Sequence, residues 1–362
     1  MEKRTPDYLI FLVVIILIGI GLVMILSASS VRALIDYNDS SYLFRHQLIW
    51  AMVGIIAMLF FMKLDYHIFQ RLAKPILFLS VIFLILVLFI GFTAGGSRRW
   101  FNLGFVRIQP SEMAKLAIVI YLAQYFSSRK KRLNSFKKRI LAPVIVLDVV
   151  FMLILLEPDL GTAVTITGIF IIMLFASGVR LGHIFLIITA GIPFLIYFIF
   201  SADYRRERFF SFLNPWEDPL DTGYHIIQSL LALGSGGIFG VGLGQSRQKF
   251  LYLPEPGTDF IFAVLGEELG LLGTLFVLGL FFILAWRGFK IAMSVPDLFG
   301  SLLAVGLTSM IIIQTIINIG VVTASMPVTG ITLPFISYGG TSMVIMMSAA
   351  GILLNISREA GE

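Results

Sequence analysis

Long apolar runs recur along almost the whole of this 362-residue chain. A helix that crosses a bilayer needs about 20 mostly apolar residues. Water-soluble domains of this size do not combine 58% hydrophobic with 13% charged residues and a mean hydropathy of +0.95. We therefore predict an all-α polytopic membrane protein, one domain over residues 1–362, with about ten transmembrane helices. The runs lie at 8–26, 48–62, 75–92, 113–126, 140–156, 162–176, 181–200, 260–286, 299–322 and 333–354.

The basic residues predict the orientation of these spans. Short cytoplasmic loops of membrane proteins are enriched in Lys and Arg, and the densest basic cluster of this chain lies in the short loop at 129–139. Placing that loop inside puts both the N-terminus and the C-terminus in the cytoplasm. The net charge of +6 is then a signal of topology, and we expect no nucleic-acid partner.

The longest stretch without a predicted span follows the seventh run. It covers about residues 201–258, which this orientation makes a large extracytoplasmic loop between spans seven and eight, and loops of this length are often functional. Residues 225–243 are apolar enough for an eleventh span, but their glycines make a continuous helix costly. We expect a surface or re-entrant element packed on protein there.

Two kinds of chemistry find little support in the sequence. The chain has no cysteine, which excludes disulfides, thiolate metal sites and cysteine nucleophiles. The glycines between 234 and 244 contain GxG spacings, but no strand–loop–helix unit surrounds them, so a nucleotide-binding loop is disfavoured. A glycine-rich turn that packs closely on a ligand or on a helix is the better explanation.

The outer segments carry an unusual density of cations. Snorkelling toward lipid headgroups accounts for any one of them about as well as a function does. Guanidinium groups also match phosphate oxygens and stay charged at any pH, so a site for a phosphate-bearing ligand is the sharper hypothesis. The candidates are Arg98, Arg99, Arg107, Arg205, Arg206, Arg208, Arg247 and Lys249.

Acidic residues in or beside the apolar runs are few. Glu112 and Lys115 stand three residues apart at the start of the fourth run, where they can pair with each other. Asp148 lies in the middle of the fifth run and needs a partner, for which Lys115 is one candidate. Glu157 and Asp159 occupy a tight outer turn, which is a usual place for Asp.

Asp259 is the most suggestive carboxylate, because it opens the eighth run beside the arginine-rich loop. It either caps the helix N-terminus or acts as a catalytic base, with Glu255 as the second choice for the base. A donor with a pyrophosphate leaving group needs one base, whereas glycoside hydrolysis normally needs two carboxylates. Glu267 and Glu268 lie roughly 12 Å further along the helix, where they suit bracing of the bundle.

Ordered motifs extend from the first run to the last. They include GGSRRW at 95–100, QPSE at 109–112, EPDLGT at 157–162, NPWEDP at 214–219, GLGQSRQK at 242–249, TDFIFAV at 258–264, GEELG at 266–270, NIG at 318–320, PVTG at 327–330 and PFISYGG at 334–340. Together they resemble the SEDS family of shape, elongation, division and sporulation proteins. The 334–342 and 244–249 segments are more similar to its division and sporulation branch, FtsW and SpoVE, than to its elongation branch, RodA.

The resemblance implies a function and a site. Members of the family polymerise the lipid-linked precursor lipid II into glycan strands outside the bacterial cytoplasmic membrane, together with a class B penicillin-binding protein that acts as transpeptidase. Other divisome or sporulation septum proteins are expected partners. The family's essential aspartate corresponds to Asp259, and Ser337 is expected to support the site. Relatives often carry histidine or another polar residue before the TDF run, where this chain has Gly257.

We therefore expect an inverting peptidoglycan glycosyltransferase with an extracytoplasmic active site. Asp259 would take the proton of the acceptor's 4-hydroxyl group while the outer arginines hold the pyrophosphates. The sequence shows no metal-ligand cluster and indicates no definite cofactor, and a divalent cation, Mg²⁺ or Mn²⁺, is left open. The rival readings are a lipid II flippase and a noncatalytic scaffold for the transpeptidase.

Overall fold

The protein is described from a computed structural model, which covers residues 5–94, 97–102, 104, 106–128, 136–201, 203–250 and 252–360. Within those ranges the chain forms a helical bundle and one small sheet. The helices are α1 Tyr8–Tyr37, α2 Tyr42–Lys63, α3 His67–Ile90, α4 Pro110–Ser128, α5 Phe136–Leu156, α6 Leu160–Ala176, α7 Leu181–Phe200, α8 Asp203–Leu213, α9 Tyr224–Gly236, α10 Ile261–Ser294, α11 Leu298–Val322 and α12 Gly340–Ser357. The strands are β1 Phe92–Ala94, β2 Ser97–Asn102 and β3 Arg107–Ile108, and a 3₁₀ turn spans Pro215–Glu217.

The polytopic helical architecture agrees with the sequence prediction, and each of the ten predicted runs falls largely on a helix. By length and composition, seven described helices can cross a membrane, namely α1, α2, α3, α7, α10, α11 and α12. Helices α5 and α6 contain the shorter apolar stretches Ile140–Leu156 and Leu160–Ala176. Helix α4 is buried along most of its length and carries Glu112 and Lys115 in the interior. The count of ten and the orientation stay predictions.

The predicted bounds are wrong at the last run. Residues 333–339 are not helical, and α12 begins at Gly340. The segment 326–339 is instead an irregular connection, whose residues 333–337 are buried inside the bundle. Its backbone packs so closely on α1 that a Cβ at Gly21 would lie 2.7 Å from the Ile336 Cα atom. Pro327 and Pro334 explain why an apolar segment here cannot continue a helix.

A three-stranded antiparallel sheet follows α3 and was not predicted. It has the order β1-β2-β3, and the register pairs Thr93 with Arg98 and Phe101 with Ile108. Because successive side chains of a strand point to opposite faces, Arg98 is exposed whereas Arg99 is half-buried. Residue 92 therefore belongs to β1 and not to the third predicted span.

Helix α10 is unwound where α9 and the following turns pack against it. Gly270 has φ 68° and ψ −166°, and a Cβ there would lie 2.3 Å from the Gly240 nitrogen. The N–H groups of Val241 and Gly242 donate to the carbonyls of Glu267 and Glu268 at 3.0 and 3.1 Å. The 225–243 stretch is thus a short helix and a glycine turn packed on protein, as the sequence predicted, because two backbones can approach this closely only without side chains.

Candidate active site around Asp259

Asp259 is placed at the start of α10 without capping it. The N-cap residue of α10 is Phe260, and no side chain caps that helix end. The N-cap reading of Asp259 is therefore wrong. Its side chain is half-buried, and its Oδ2 atom would lie 3.6 Å from a Cβ at Gly330. The carboxyl group thus faces the 326–339 connection at close range.

The backbone around Asp259 is fixed by hydrogen bonds from two other parts of the chain. Asn318 Nδ2, on α11, donates to the Asp259 carbonyl at 2.8 Å and to the Ile331 carbonyl at 2.7 Å. Ser337 Oγ donates to the Thr258 carbonyl at 2.6 Å, and Ser337 was predicted to support the site. One amide on α11 and one hydroxyl of the 326–339 connection therefore hold the residues before α10 in place.

Burial and the neighbouring charges place the pKa of Asp259 near neutral pH, where its carboxylate can accept a proton. Burial, and next the carboxylate of Glu255, raise the pKa of Asp259 to about 7, and Asp159 acts in the same direction. The guanidinium groups of Arg99 and Arg208 lower it. The structure therefore brings two of the predicted cations and the second predicted carboxylate, Glu255, into electrostatic range of Asp259. A carboxyl group with a pKa close to the working pH is well suited to general base catalysis.

Glu157 is a feature of the site that sequence reasoning read as ordinary turn chemistry. Its side chain is fully buried, and neither of its carboxyl oxygens has a hydrogen-bond partner among the described atoms. Burial, followed by the nearby Asp159, raises the pKa of Glu157 to about 9 against the opposing effect of Arg99. Arg99 Nε donates to the Glu157 carbonyl at 2.9 Å. Glu157 is thus a neutral acid at pH 7.

His225, on α9, also adjoins the site and was not predicted. Its ring stacks on Phe260 with centroids 6.0 Å apart, and its Nδ1 atom is buried without a partner in the described part of the chain. Burial and the guanidinium of Arg208 lower the pKa of His225, while Glu255 opposes them. The imidazole is therefore neutral at pH 7.

The other predicted cations lie in different settings. Arg98 is exposed and donates to Thr93 Oγ1 at 3.3 Å, whereas Arg107 lies 5.8 Å from the centroid of the Phe92 ring. Arg205 donates to the Phe198 carbonyl at 3.2 Å and therefore holds α8 to the end of α7. Arg206 pairs with Asp203 at 3.1 Å on the exposed face of α8.

Lys249 forms a buried ion pair with Glu268, so its ammonium group does not line an open phosphate site. Its Nζ atom lies 3.0 Å from Glu268 Oε1 and 3.0 Å from Ser27 Oγ. Glu267 Oε1 accepts from the Arg247 backbone N–H at 2.8 Å and leaves the Arg247 side chain exposed. The two carboxylates thus hold the 246–249 turn onto α10, which fits the bracing role expected for Glu267 and Glu268.

A buried polar chain links α4 to the connection beside Asp259. Lys115 Nζ contacts Glu112 Oε1 at 2.7 Å and also donates to the side-chain oxygen of Gln314. Gln314 Nε2 in turn donates to the Thr332 carbonyl at 3.0 Å. Lys115 is therefore not the partner of Asp148, whose side chain is exposed on α5. That part of the prediction was wrong because Gln314 was not considered.

Three amide side chains carry most of these contacts, and two of them were overlooked. Gln47 Nε2 donates to the Ser337 carbonyl at 3.1 Å, and Gln314 and Asn318 bond the connection from α11. Amides within apolar helices are costly unless they bond to something. Gln47 directly precedes the apolar run at 48–62, and Gln314 and Asn318 lie inside the run at 299–322. These positions were the sequence signal that the amides bond to other parts of the protein.

No ready metal cage surrounds Asp259 within the described residues. The described His, Asp and Glu side chains form one group of three with ligand atoms within 4.8 Å of one another, and it does not include Asp259. A divalent cation at this site would therefore take most of its ligands from a pyrophosphate and from water.

Fold and site together define a polytopic helical membrane protein. At the start of one long helix it has a carboxyl group with a pKa of about 7, on which two arginines act. The family model for cell cycle proteins of the FtsW, RodA and SpoVE type matches residues 7–362. The chain therefore belongs to this family, the SEDS family that its motifs indicated.

Individual relatives agree with that assignment. The chain is 47% identical over 359 residues to the stage V sporulation protein E of Bacillus subtilis, covering 99% of this chain and 98% of that protein. It is 43% identical over 353 residues to the probable peptidoglycan glycosyltransferase FtsW of Trichlorobacter lovleyi, covering 97% and 93%.

Solved structures share the fold. A chain of a peptidoglycan synthase complex with polymerization and crosslinking activities superposes with a TM-score of 0.81 at 29% identity over 98% of both chains. The rod shape determining protein RodA of Thermus thermophilus gives a TM-score of 0.73 at 27% identity over 99% of this chain and 98% of that one.

Proposed function

We propose that the protein is a peptidoglycan glycosyltransferase that polymerises lipid II at the outer face of the bacterial cytoplasmic membrane, in division or sporulation septum synthesis. The observation that carries the proposal is the setting of Asp259, whose carboxyl group has a pKa of about 7 beside Arg99 and Arg208. The relatives named as peptidoglycan glycosyltransferases support the same activity.

The reaction assigns one role to each of these groups. Asp259 takes the proton of the acceptor sugar's 4-hydroxyl group as the hydroxyl oxygen attacks the anomeric carbon of the growing strand. The bond from that carbon to the undecaprenyl pyrophosphate breaks, and the configuration inverts. Arg99 and Arg208 offset the charge of the departing pyrophosphate, so no acid has to protonate it.

The fixed backbone around Asp259 supports a chemical role. Reacting groups must be held within a fraction of an ångström of their working positions. Asn318 and Ser337 supply that restraint through bonds at 2.8 and 2.6 Å to consecutive carbonyls. A scaffold protein would need no such restraint at a carboxylate whose pKa is raised.

The partner in this proposal is a class B penicillin-binding protein. The solved complex that shares this fold joins polymerization to crosslinking, so a transpeptidase beside this chain would link the strands as they form. Other divisome or sporulation septum proteins would place the pair at the septum.

Replacement of Asp259 tests the activity. D259N, purified with the transpeptidase and supplied with fluorescent lipid II, should lose polymerisation by at least about 10²-fold, since a positioned base contributes roughly 10²–10⁴-fold. D221N is the matched control, because Asp221 is an exposed carboxylate of the same loop. Polymerisation by D259N at the rate of D221N would refute the assignment, and lipid II transfer across vesicles without polymerisation would indicate a flippase.

A further inference from the structure

The last residues of the irregular connection before α12 hold the backbone that leads into Asp259. The Tyr338 N–H donates to the Gly257 carbonyl at 2.9 Å, and Ser337 Oγ donates to the Thr258 carbonyl at 2.6 Å. Both bonds reach the two residues that directly precede Asp259 in the chain. The placement of Asp259 therefore depends on what holds this end of the connection.

Gln47, near the start of α2, holds the same segment from another side. Its side chain is fully buried. Its Nε2 atom donates to the Ser337 carbonyl at 3.1 Å, and its Oε1 atom accepts from the Gly339 N–H at 3.2 Å. One carboxamide thus bonds a carbonyl and an N–H group on either side of Tyr338, and it uses its donor and its acceptor at once.

The turn that leads into this segment is strained. Phe335 has φ 64°, a left-handed conformation that a bulky residue rarely adopts, and its side chain is buried. Such conformations persist only where the surrounding contacts fix them. The Leu333 carbonyl accepts from the Ser337 N–H at 3.0 Å, and the Leu333 N–H donates to Ser337 Oγ at 2.8 Å. The hydroxyl that reaches Thr258 therefore lies at the end of a turn that needs outside support.

Helix α2 supplies that support at two successive positions on one face. Trp50 follows Gln47 by three residues and packs so closely on Gly340 that a Cβ there would overlap its ring. The Gln47 amide is costly in an apolar helix unless it is bonded, and both of its ends are bonded to this one segment. Because the side chain is fully buried, it acts on a substrate only through the backbone that it holds.

We infer that Gln47 is a positioning residue of the active site: it holds residues 337–339 so that Ser337 and Tyr338 fix the backbone before Asp259. The inference rests on the proposed polymerase function and extends it to a residue on α2. Loss of the amide should displace the base while the groups that bind lipid II remain. Such a change lowers kcat and leaves KM nearly unchanged.

Q47M tests the inference, because Met has nearly the length of Gln but no amide. With the transpeptidase and fluorescent lipid II, its kcat should fall at least about tenfold, since a misplacement of about 1 Å can cost about 10²-fold. KM should change by less than about twofold. Q47N keeps an amide that is one methylene too short to reach both groups, so it should show the same pattern. It decides the question if Q47M does not fold.

N355L is the matched control. Asn355, on α12, is also a buried amide with both ends bonded: its Nδ2 atom donates to the Met62 carbonyl at 2.8 Å, and its Oδ1 atom accepts from the Tyr66 N–H at 3.1 Å. It holds the other end of α2, about 22 Å along that helix from Gln47. N355L should lower the melting temperature about as much as Q47M does and yet keep the kcat of the unchanged protein.

Three results would overturn the positioning role: a kcat of Q47M and Q47N equal to that of the unchanged protein, a loss that lies only in KM, or an equal fall of kcat in Q47M and N355L. D259N separates these results from the proposed function. If D259N polymerises like its control D221N, the function and the inference both fail. If D259N is inactive while Q47M keeps its full kcat, only the role of Gln47 fails.

Discussion

The pH dependence of polymerisation tests the chemistry at Asp259 most directly. A base works only when it is deprotonated, and a pKa of about 7 leaves Asp259 about one-tenth ionised at pH 6 and about nine-tenths ionised at pH 8. The rate at limiting lipid II should therefore rise about tenfold between these values. An aspartate with its ordinary pKa near 4 would show no change over that range.

Two neighbouring residues should move this profile in opposite directions. Glu255 raises the pKa of Asp259, so E255Q should shift the midpoint to lower pH and increase the rate at pH 6. The same substitution breaks the ion pair of Glu255 with Arg32, whose atoms lie 2.8 Å apart. R208Q should shift the midpoint to higher pH, because Arg208 lowers the pKa of Asp259.

The assay follows fluorescent lipid II with the transpeptidase blocked by penicillin, so that crosslinking does not contribute. The rates of E255Q and R208Q are compared with that of D221N at each pH. This comparison removes the effects of pH on the detergent and on the partner protein. A profile that is flat between pH 6 and pH 8, or an E255Q midpoint displaced upward, would refute the assignment of Asp259 as the titrating base.

Three further predictions concern the structures that surround the site. K249M should lower the free energy of unfolding by about 3–5 kcal/mol in a denaturant titration, because it removes the buried ion-pair partner of Glu268. K290M is the control, since the Lys290 side chain is exposed, and it should change the free energy of unfolding by under about 1 kcal/mol. G270A should lower the melting temperature by several degrees, since φ is 68° and a Cβ would meet the Gly240 nitrogen at 2.3 Å; an unchanged melting temperature would mean that the two backbones are not so close. N318A should lower kcat and leave KM nearly unchanged, because Asn318 holds the Asp259 carbonyl at 2.8 Å and is not expected to touch the substrate. A loss of kcat/KM that comes only from a higher KM, with kcat unchanged, would exclude this positioning role.

The sequence predicted the class of fold because apolar length is a one-dimensional property. It also gave Asp259, Glu255, Arg99 and Arg208 as candidates, because they lie in segments predicted to be outside the membrane, and the structure brings the other three into electrostatic range of Asp259. It could not assign Lys249, because a lysine in a polar loop looks the same whether it faces a ligand or a buried carboxylate. That distinction requires the tertiary contact with Glu268.

The interior 326–339 connection shows a second limit of sequence reasoning. Residues 333–337 of this connection are apolar enough to be predicted as the start of a span, yet protein buries them, and Gln47, Gln314 and Asn318 bond the carbonyl groups of the connection. Lipid burial and protein burial leave the same hydropathy, and only the hydrogen-bonding partners on other helices separate them. The prolines were the signal that favoured an irregular segment.

The burial of Glu157 leads to a last prediction about stability and pH. Its pKa is raised from about 4.5 to about 9, so the folded state binds a proton that the unfolded state releases above pH 4.5. The contribution of Glu157 to stability is therefore fully present below about pH 4.5 and is lost progressively as the pH rises toward 9. At pH 7 the loss is of order 3 kcal/mol, which E157Q avoids because its amide does not titrate.

Denaturant titrations at pH 5 and pH 8 should show E157Q gaining stability over the unchanged protein at the higher pH, while E207Q, on the exposed face of α8, should differ from the unchanged protein by the same amount at both pH values. A gain that is equal at the two pH values would mean that Glu157 is ionised in the folded protein, and its buried carboxylate would then need a cation that Arg99, bonded to the backbone of the same turn, does not fully supply.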